Sequence, residues 1–347
     1  MIFFSSRLSR CSSVSSESFM VWWNSWSTDG LWGSKTGAFF NFDIGDAEDN
    51  DALDLTTAIG EINTIRHIIS NKDLHVFTST DEFIIPALQG QVTTPTNASI
   101  ERQTSFGSSF LRPYIYDGAT VFVDSSGSMV REFIFTDAVK GYTGNSISTL
   151  SSHLIKTPVQ MAMLSGAIGR AENYLFIVDA DGTLAVFNSN RVEKRAGYTQ
   201  FTSQGSFHSV CVIDTHVYAV VKFDKGDGTN KYFLVEFDNS FNMDLAKTYS
   251  GSNGVFSVSS DFANGAVVDV VNGTFYLGSF TVSGGNVDVS SVDSALSSAE
   301  IGFKFNVNLI TNPIDAQVAD GPLTSEPRTV QRVVLDLNNT LSVNVNN

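Results

Sequence analysis

The sequence predicts an all-β protein: a β-propeller-like domain of about five recognisable hairpin units with few short helices, plus additional β strands at the C-terminal end. Three observations predict this fold class. Short runs rich in β-branched and aromatic residues alternate apolar with polar positions, as half-buried strands do. Short clusters of Gly, Asp and Ser separate these runs, and each cluster has the length of a tight turn. The resulting hairpins begin about 50 residues apart, which is the length of one four-stranded propeller blade.

Five hairpins carry the prediction. Radial stacking of such small sheets covers both apolar faces of each sheet and leaves only short edges exposed. A sandwich would also show regular hairpins, but at closer spacing. The third turn contains Asp181-Gly182, a dipeptide that supplies the positive φ angles of a tight hairpin. The paired runs are 74–77 with 82–85, 120–123 with 129–135, 174–178 with 183–187, 216–223 with 231–237, and 274–277 with 286–289.

Two segments favour short helices. Apolar residues at positions 62, 65, 68 and 69 predict two helical turns over Ile62–Ile69. Asn145 or Ser146 is placed to cap a second short helix that continues through Leu154.

The C-terminal part returns to strand patterns. Strict alternation over Glu300–Leu309 predicts a half-buried strand. Three prolines then mark a loop, and two further strands are predicted over Val330–Leu337 and Leu341–Val345. We therefore divide the chain into an N-terminal strand and aromatic segment (1–45), a β-propeller-like domain (46–295) and a C-terminal β segment (296–347), which we expect to be either truncated or completed by another polypeptide.

Composition indicates a component of an assembly. The chain has 21 basic and 36 acidic side chains, a net charge of −15, which argues against nonspecific nucleic-acid binding because that requires a basic patch. Charged residues make up only 16% of the chain, although it contains 27 Phe. Together with a mean hydropathy of +0.03, this favours apolar surface that is covered by neighbouring subunits.

The N-terminal segment lacks the pattern of a secretory signal, because Met1–Phe4 is followed at once by Ser5-Ser6-Arg7. Phe19–Trp26 holds three of the four Trp residues but is too short to cross a bilayer. We interpret it as a strand or loop packed in a core or subunit contact, rather than as an interfacial anchor, and expect no direct membrane insertion. Cys11 and Cys211 are predicted to be free thiols, with Cys211 buried in a strand.

No motif nominates catalytic or cofactor chemistry. Gly33–Gly37 lacks the glycine spacing of a phosphate loop, and no G-x-S-x-G occurs. The five His residues have no metal-ligand spacing, and the Asp-Gly sequences at 179–182 and 224–228 are typical turns. We therefore expect a protein that is not an enzyme and has no cofactor.

An acidic stretch gives a weak calcium candidate. Six carboxylates fall between positions 43 and 54, but the order of an EF-hand is absent, so a solvated acidic loop is favoured. The calcium candidates are Asp46, Asp49, Asp51 and Asp54, and the whole cluster is Asp43, Asp46, Glu48, Asp49, Asp51 and Asp54.

Several segments, taken in order, carry a family resemblance. Residues 2–8 contain F-F-x-x-R-L, residues 32–42 contain W-G-S-x-x-G-x-F-F-N-F, and residues 131–154 contain R-E, G-Y and L-x-x-H-L. In order and spacing these segments resemble the tail nozzle family of short-tailed bacteriophages, also called tail tubular protein B. Residues 9–30 depart from the family pattern, and the chain resembles the middle of a nozzle. The motif residues are Arg7, Trp32, Gly33, Phe39, Phe40, Phe42, Arg66, Arg102, Gln103, Gly107, Pro113, Arg131, Glu132, Tyr142 and His153.

The resemblance implies a structural virion protein that forms a homohexameric ring at the distal end of the phage tail and lets genomic DNA leave through its channel without specific binding. It further implies an adaptor ring above, and tail fibres or a tip spike, as partners. Carboxylates of the 43–54 cluster facing the lumen would repel phosphate and let DNA slide. Two alternatives stay open: a β-propeller module that binds host-surface glycans or a receptor, and a propeller-type polysaccharide hydrolase.

Overall fold

The computed structural model describes residues 11–12, 21–24, 27–57, 63–87, 93–166, 173–193, 195–224, 230–238, 240–305, 307–310, 317–318, 321–322, 332 and 334–336. In these residues no helix is both long and apolar enough to cross a membrane. The chain divides into two compact units, 1–224 with 229–237 and 225–228 with 238–347. The segment boundaries predicted after residues 45 and 295 differ from this division and stay a prediction.

The first unit consists of small antiparallel sheets in which consecutive strands pair, and this confirms the all-β, propeller-like prediction. The first sheet contains β1 (Cys11–Ser12), β2 (Val21–Asn24), β3 (Ser27–Gly33) and β4 (Leu53–Thr56). The second contains β5 (Ile65–Ser70), β6 (Leu74–Thr78), β7 (Glu82–Ile85) and β8 (Glu101–Thr104), and the third β9 (Tyr114–Tyr116), β10 (Ala119–Val123), β11 (Val130–Thr136) and β12 (Gly141–Ser146).

The next two sheets continue the pattern. A short 3-10 helix, η1 (Thr149–Leu154), precedes the fourth sheet. That sheet contains β13 (Pro158–Leu164), β14 (Asn173–Asp179), β15 (Leu184–Asn190) and β16 (Arg195–Phe201), and the fifth, with three strands, contains β17 (Ser206–Ile213), β18 (His216–Asp224) and β19 (Asn230–Glu236). Four of the five predicted hairpins are confirmed as β6–β7, β10–β11, β14–β15 and β18–β19.

Alternation along the strands explains how these sheets pack face to face in chain order. Val76 and Phe83 on the second sheet join Leu31 and Leu53 of the first sheet in one core. The neighbouring residues on the same strands, Phe77 and Ile84, face the third sheet, and pack with Phe122, Phe133 and Tyr142. On β10 of the third sheet, the residues on either side of Phe122, Val121 and Val123, point to the opposite face and pack on Leu175 and Phe187 of the fourth sheet. The period-2 pattern therefore supplies both faces of each inner sheet.

The second unit does not repeat this pattern. Its main sheet has the order β23-β22-β25-β20-β21-β24, so three of its five neighbouring pairs, β22–β25, β25–β20 and β21–β24, join strands that are not consecutive in sequence. Its strands are β20 (Asp244–Ser252), β21 (Val255–Ser257), β22 (Val267–Asn272), β23 (Phe275–Thr281), β24 (Asn286–Asp288) and β25 (Ser298–Phe303), and a separate pair is formed by β26 (Gln317–Val318) and β27 (Gly321–Pro322).

The fifth predicted hairpin is therefore wrong. β23 pairs with β22 through a turn that contains Gly273, at a φ of 60°, whereas β24 pairs with β21. The Ser283-Gly284-Gly285 sequence reverses the chain but does not join paired strands, because the tertiary context sends β24 to a different partner.

The helix predicted over Ile62–Ile69 is also wrong for the part that the structure describes, while Ile62 lies outside the described residues. Residues 65–70 form β5, whose pairing with β6 shifts register between Ile65 and His67. Because of that bulge, His67 and Ile68 are both buried, although they are adjacent in the strand. The buried apolar residues Ile65 and Ile68 are therefore three positions apart, as they would be on one face of a helix. The β-branched residues of the segment favour the strand.

Other element boundaries also needed correction. Asn145 and Ser146 belong to β12 rather than capping a helix, and η1 begins after Ser148. The strand predicted over Glu300–Leu309 ends at Phe303. Of the predicted strand 330–337, the described residues 332 and 334–336 are not in a strand, and the strand predicted over 341–345 lies outside the described residues.

Candidate functional site

Many motif residues converge on one place, the seam between the second and third sheets, which is crossed by the connecting segment 104–112. Arg66 on β5 donates a hydrogen bond to the carbonyl of Ser108, and its guanidinium carbon lies 4.2 Å from the ring centroid of Phe110. Gly107 has a φ of +66°, and a Cβ there would lie 2.2 Å from the carbonyl oxygen of Ser79. The chain can make this crossing only with Gly at position 107.

A buried carboxylate anchors the same segment. Glu82 is fully buried, and its Oε2 accepts hydrogen bonds from the Thr104 hydroxyl and, at 3.2 Å, from the Phe106 N–H. Its Oε1 is buried without a hydrogen-bond partner among the described residues. Burial raises the pKa of Glu82 to about 7, because the charged form loses its hydration.

Arg131 lies beside this carboxylate and holds three parts of the seam. Its guanidinium carbon lies 3.6 Å from the ring centroid of Phe106, its Nη1 donates to the carbonyl of Gly144 at 3.1 Å, and its Nε is 3.5 Å from Asp124 Oδ2. Arg131 thus ties β11 and β12 to the 104–112 segment.

The remaining seam contacts are also internal ties. Gln103 accepts a hydrogen bond from the Tyr142 N–H at 2.9 Å, and the Tyr142 hydroxyl donates to Asp73 at 2.7 Å. Nδ1 of His75 lies 2.9 Å from the Thr120 hydroxyl, and burial lowers the pKa of His75 to about 4. These side chains bind one another, so their contacts hold the second and third sheets together.

The acidic stretch is organised around one lysine. Lys35 Nζ lies 2.9 Å from Asp51 Oδ1 and 3.4 Å from Asp43 Oδ2, while Asp51 Oδ2 accepts a hydrogen bond from the Glu48 N–H at 2.9 Å. The hydrogen bond from Lys35 lowers the pKa of Asp51. Both carboxylate oxygens of Asp51 therefore bind groups of the 35–51 segment and hold that loop closed.

The other acidic candidates are not brought together. Asp46, Glu48 and Asp54 are exposed, and Asp49 accepts a hydrogen bond from Thr96. In the residues that the structure describes, no group of three or more His, Cys, Asp or Glu side chains is arranged to hold a metal ion. A lumen-facing role of the cluster stays a prediction.

The remaining motif residues are dispersed. Trp32 lies on β3 opposite Asp54 of β4, and a Cβ at Gly33 would lie 2.8 Å from the Leu53 side chain. Pro113 is buried and Phe42 half-buried, whereas Phe39, Phe40 and the η1 residue His153 are exposed. Arg102 lies 3.5 Å from Asp81, and Arg7 is outside the described residues.

A cavity of about 240 Å³ lies between the third and fourth sheets. Arg191 at its rim binds Glu132 of β11 and lies 3.2 Å from Asp117, so its charge is already neutralised by two carboxylates. The volume is below the usual range for small-molecule sites. Sequence reasoning missed Arg191 because nothing local connects it to a partner 59 positions away.

Large apolar side chains are exposed on several of the segments that connect strands. Leu150 of η1 and Val192, which follows β15, are 96% and 93% exposed. Phe40 and Phe110 are also largely exposed, on the segments between β3 and β4 and between β8 and β9. Apolar side chains of this size that face water are available for contacts with other surfaces.

The fifth sheet exposes one of its faces. Val217, Ala219 and Val221 of β18 are buried, whereas the alternate residues face outward together with Ile213 of β17 and Tyr232 and Leu234 of β19. Cys211 shares this outward face and is exposed, so the prediction of a buried thiol is wrong. Strand periodicity placed Cys211 in a strand but could not say which face is covered.

No family model and no curated protein matches this chain. Among solved structures, the chain is similar to BamB from Moraxella catarrhalis, at 11% identity and a TM-score of 0.35 over 67% of this chain and 58% of that chain, which is less than two thirds of BamB. It is also similar to BBS1N in complex with ARL6DN, soaked with lead, at 12% identity and a TM-score of 0.34 over 84% of this chain and 89% of that chain. A mercury-soaked form of the same complex gives 11% identity and a TM-score of 0.32 over 83% of this chain and 91% of that chain.

Proposed function

We propose that this protein is a propeller-like interaction module that works through binding surfaces rather than through catalysis. The observation that carries the proposal is the set of large apolar side chains left exposed on the segments between strands, led by Leu150 and Val192. In contrast, the titratable seam residues among those described are occupied by internal ties. A protein that exposes large apolar side chains on its connecting segments is suited to contact other protein surfaces.

Within this class we propose a subunit of a tail nozzle, a virion protein without enzymatic activity. The resemblance in motif order supports this proposal. Three of the motif residues, Arg66, Gly107 and Arg131, lie together at the seam between the second and third sheets. Copies would join into a homohexameric ring with an adaptor ring and tail fibres or a tip spike as partners, and genomic DNA would pass through the channel. The charge of −15 agrees with a conduit that phosphate does not adhere to.

The test is the mass of the purified chain by light scattering after size exclusion, followed by negative-stain imaging of the same peak. Rings of about six copies with a central hole would support the nozzle. Leu150→Ser and Val192→Ser should each reduce the assembled fraction without lowering thermal stability, because neither side chain is packed in the fold. Glu193→Ser, at an exposed polar neighbour of Val192, is the matched control and should assemble normally.

A stable monomer at every concentration would contradict self-assembly. If Leu150→Ser and Val192→Ser assemble as well as Glu193→Ser does, the exposed apolar residues do not drive assembly.

A further inference from the structure

The outer strand of the fifth sheet differs from the outer strands of the sheets before it. The first four sheets have four strands each, whereas the fifth has three, so β19 is its edge in the described residues. Natural edge strands are usually interrupted by charge, glycine or proline, which prevents uncontrolled pairing. The last strands of the preceding sheets show this: β4 contains Asp54, β8 contains Arg102, β12 contains Gly144 and β16 contains Gly197.

The middle of β19 carries no such interruption. Tyr232-Phe233-Leu234-Val235 is a continuous apolar run with high strand propensity. Tyr232 and Leu234 face outward and are 55% and 74% exposed, while Phe233 and Val235 are half-buried on the other face. Such an edge is a liability unless another strand covers it.

We propose that β19 pairs antiparallel with β19 of a second copy of this chain. Pairing centred on Phe233 sets Tyr232 of each copy opposite Leu234 of the other, so the exposed apolar side chains of the two β19 strands cover one another on one face. On the opposite face Phe233 meets Phe233, and Lys231 lies opposite Val235. No like charges are directly opposed in this register.

Charge at the two ends of the strand also favours the antiparallel arrangement of two identical copies. In the sequence, residues 222–231, which lead into β19 and include its first residues, carry three basic and two acidic side chains, a net charge of +1. The end that holds Glu236 and Asp238 has a net charge of −2. Antiparallel pairing brings the basic end of each copy to the acidic end of the other, whereas parallel pairing would bring like ends together.

This contact is distinct from the contacts of the proposed ring. A twofold contact is isologous, while neighbours in a closed sixfold ring meet head to tail. The edge contact therefore links copies that belong to two rings, or holds the free chain as a dimer before a ring forms. It can fail while the ring proposal stands, and the reverse also holds.

The first test measures mass by light scattering for the full chain over a concentration series. The wild-type chain should form twofold pairs, either dimers of the free chain or paired rings. Leu234→Lys should raise the dissociation constant of this pairing at least tenfold, because a charged side chain would replace an apolar one inside the contact. Thr199→Lys adds the same charge at an exposed position of β16 and should leave dimers intact. Thermal unfolding of both variants shows whether the fold is retained.

The second test reads the register and needs no added charge. Both native cysteines are replaced by Ser, and Tyr232→Cys and Leu234→Cys chains are prepared separately. Opposed positions place Cβ atoms about 5 Å apart, so mild oxidation should cross-link the mixture much faster than either chain alone. A wild-type chain that stays monomeric, an oligomer whose mass is unchanged by Leu234→Lys, or cross-linking no faster in the mixture would overturn the proposal.

Discussion

The third and fifth sheets of the first unit are both antiparallel and are built from similar residues, yet they have different surroundings. All five residues of β10 in the third sheet are buried, because a neighbouring sheet covers each face. In β18 of the fifth sheet only alternate residues are buried. Val220 of β18 is as apolar as Val121 of β10 but remains half-exposed. The position of a sheet in the stack, more than its composition, decides which side chains stabilise the fold and which remain for contacts.

Phe133 gives the largest expected effect. It is fully buried, with its ring 5.0 Å from His75 and 4.8 Å from Tyr142 by centroid distance. Phe133→Ala should lower the free energy of unfolding by about 3 to 5 kcal/mol, measured by denaturant unfolding. Tyr232→Ala on the fifth sheet should cost less than about 1 kcal/mol because its ring is largely hydrated. Equal losses in the free energy of unfolding for the two variants would contradict the difference between the third and fifth sheets.

Glu82 should make the stability of the seam depend on pH. Since its pKa is about 7 in the folded chain and 4.5 in the unfolded chain, folding favours the protonated form. Its contribution should therefore be fully present below pH 4.5 and be lost as the pH rises to about 7. Glu82→Gln should stabilise the protein at pH 8 by up to about 3 kcal/mol and flatten this loss.

The control for Glu82 is Glu193→Gln, an exposed carboxylate, which should leave the pH profile of unfolding unchanged. His75 acts in the opposite sense, because its pKa of about 4 means that stability is lost as the pH falls below 6.5. A Glu82→Gln profile that matches the wild type would show that the carboxylate is solvated.

Gly107 should be less tolerant than a glycine in open space. Gly107→Ala should cost about 2 kcal/mol or more, since it combines a positive φ with a backbone clash against Ser79. Gly118 has a φ of +81° but nothing within 4 Å of a Cβ, so Gly118→Ala should show only the conformational strain, about 1 kcal/mol. Chemical denaturation of both variants separates the clash from the strain. Equal losses in the free energy of unfolding would show that the clash with Ser79 contributes nothing.

The smallest effect on stability is expected at Leu234. Leu234→Ser should change the free energy of unfolding by no more than about 0.5 kcal/mol at concentrations where the chain is monomeric. Val76→Ser, at a fully buried position of the second sheet, should be severely destabilising. Calorimetry of the two variants would sharpen the contrast between covered and uncovered faces, and a large loss at Leu234 would show that the fifth sheet is covered within one copy.

Local patterns in the sequence determined the strands and most of their turns. The hairpins at 74–85, 120–135, 174–187 and 216–237 follow from alternation and turn residues, because both are properties of neighbouring positions. The same reasoning failed at Ile62–Ile69, where a bulge changed the apparent period, and at 274–289, where strands pair out of sequence order.

Only the tertiary structure decided what the singled-out residues do. Motif order marked Arg66, Gly107 and Arg131, but their convergence on one seam depends on contacts between residues far apart in the chain. Likewise, periodicity assigned Cys211, Tyr232 and Leu234 to strands, whereas their exposure depends on whether another sheet follows. The physical reason is that side-chain alternation fixes two faces for each strand, while the covering of either face is set by the packing of the whole unit.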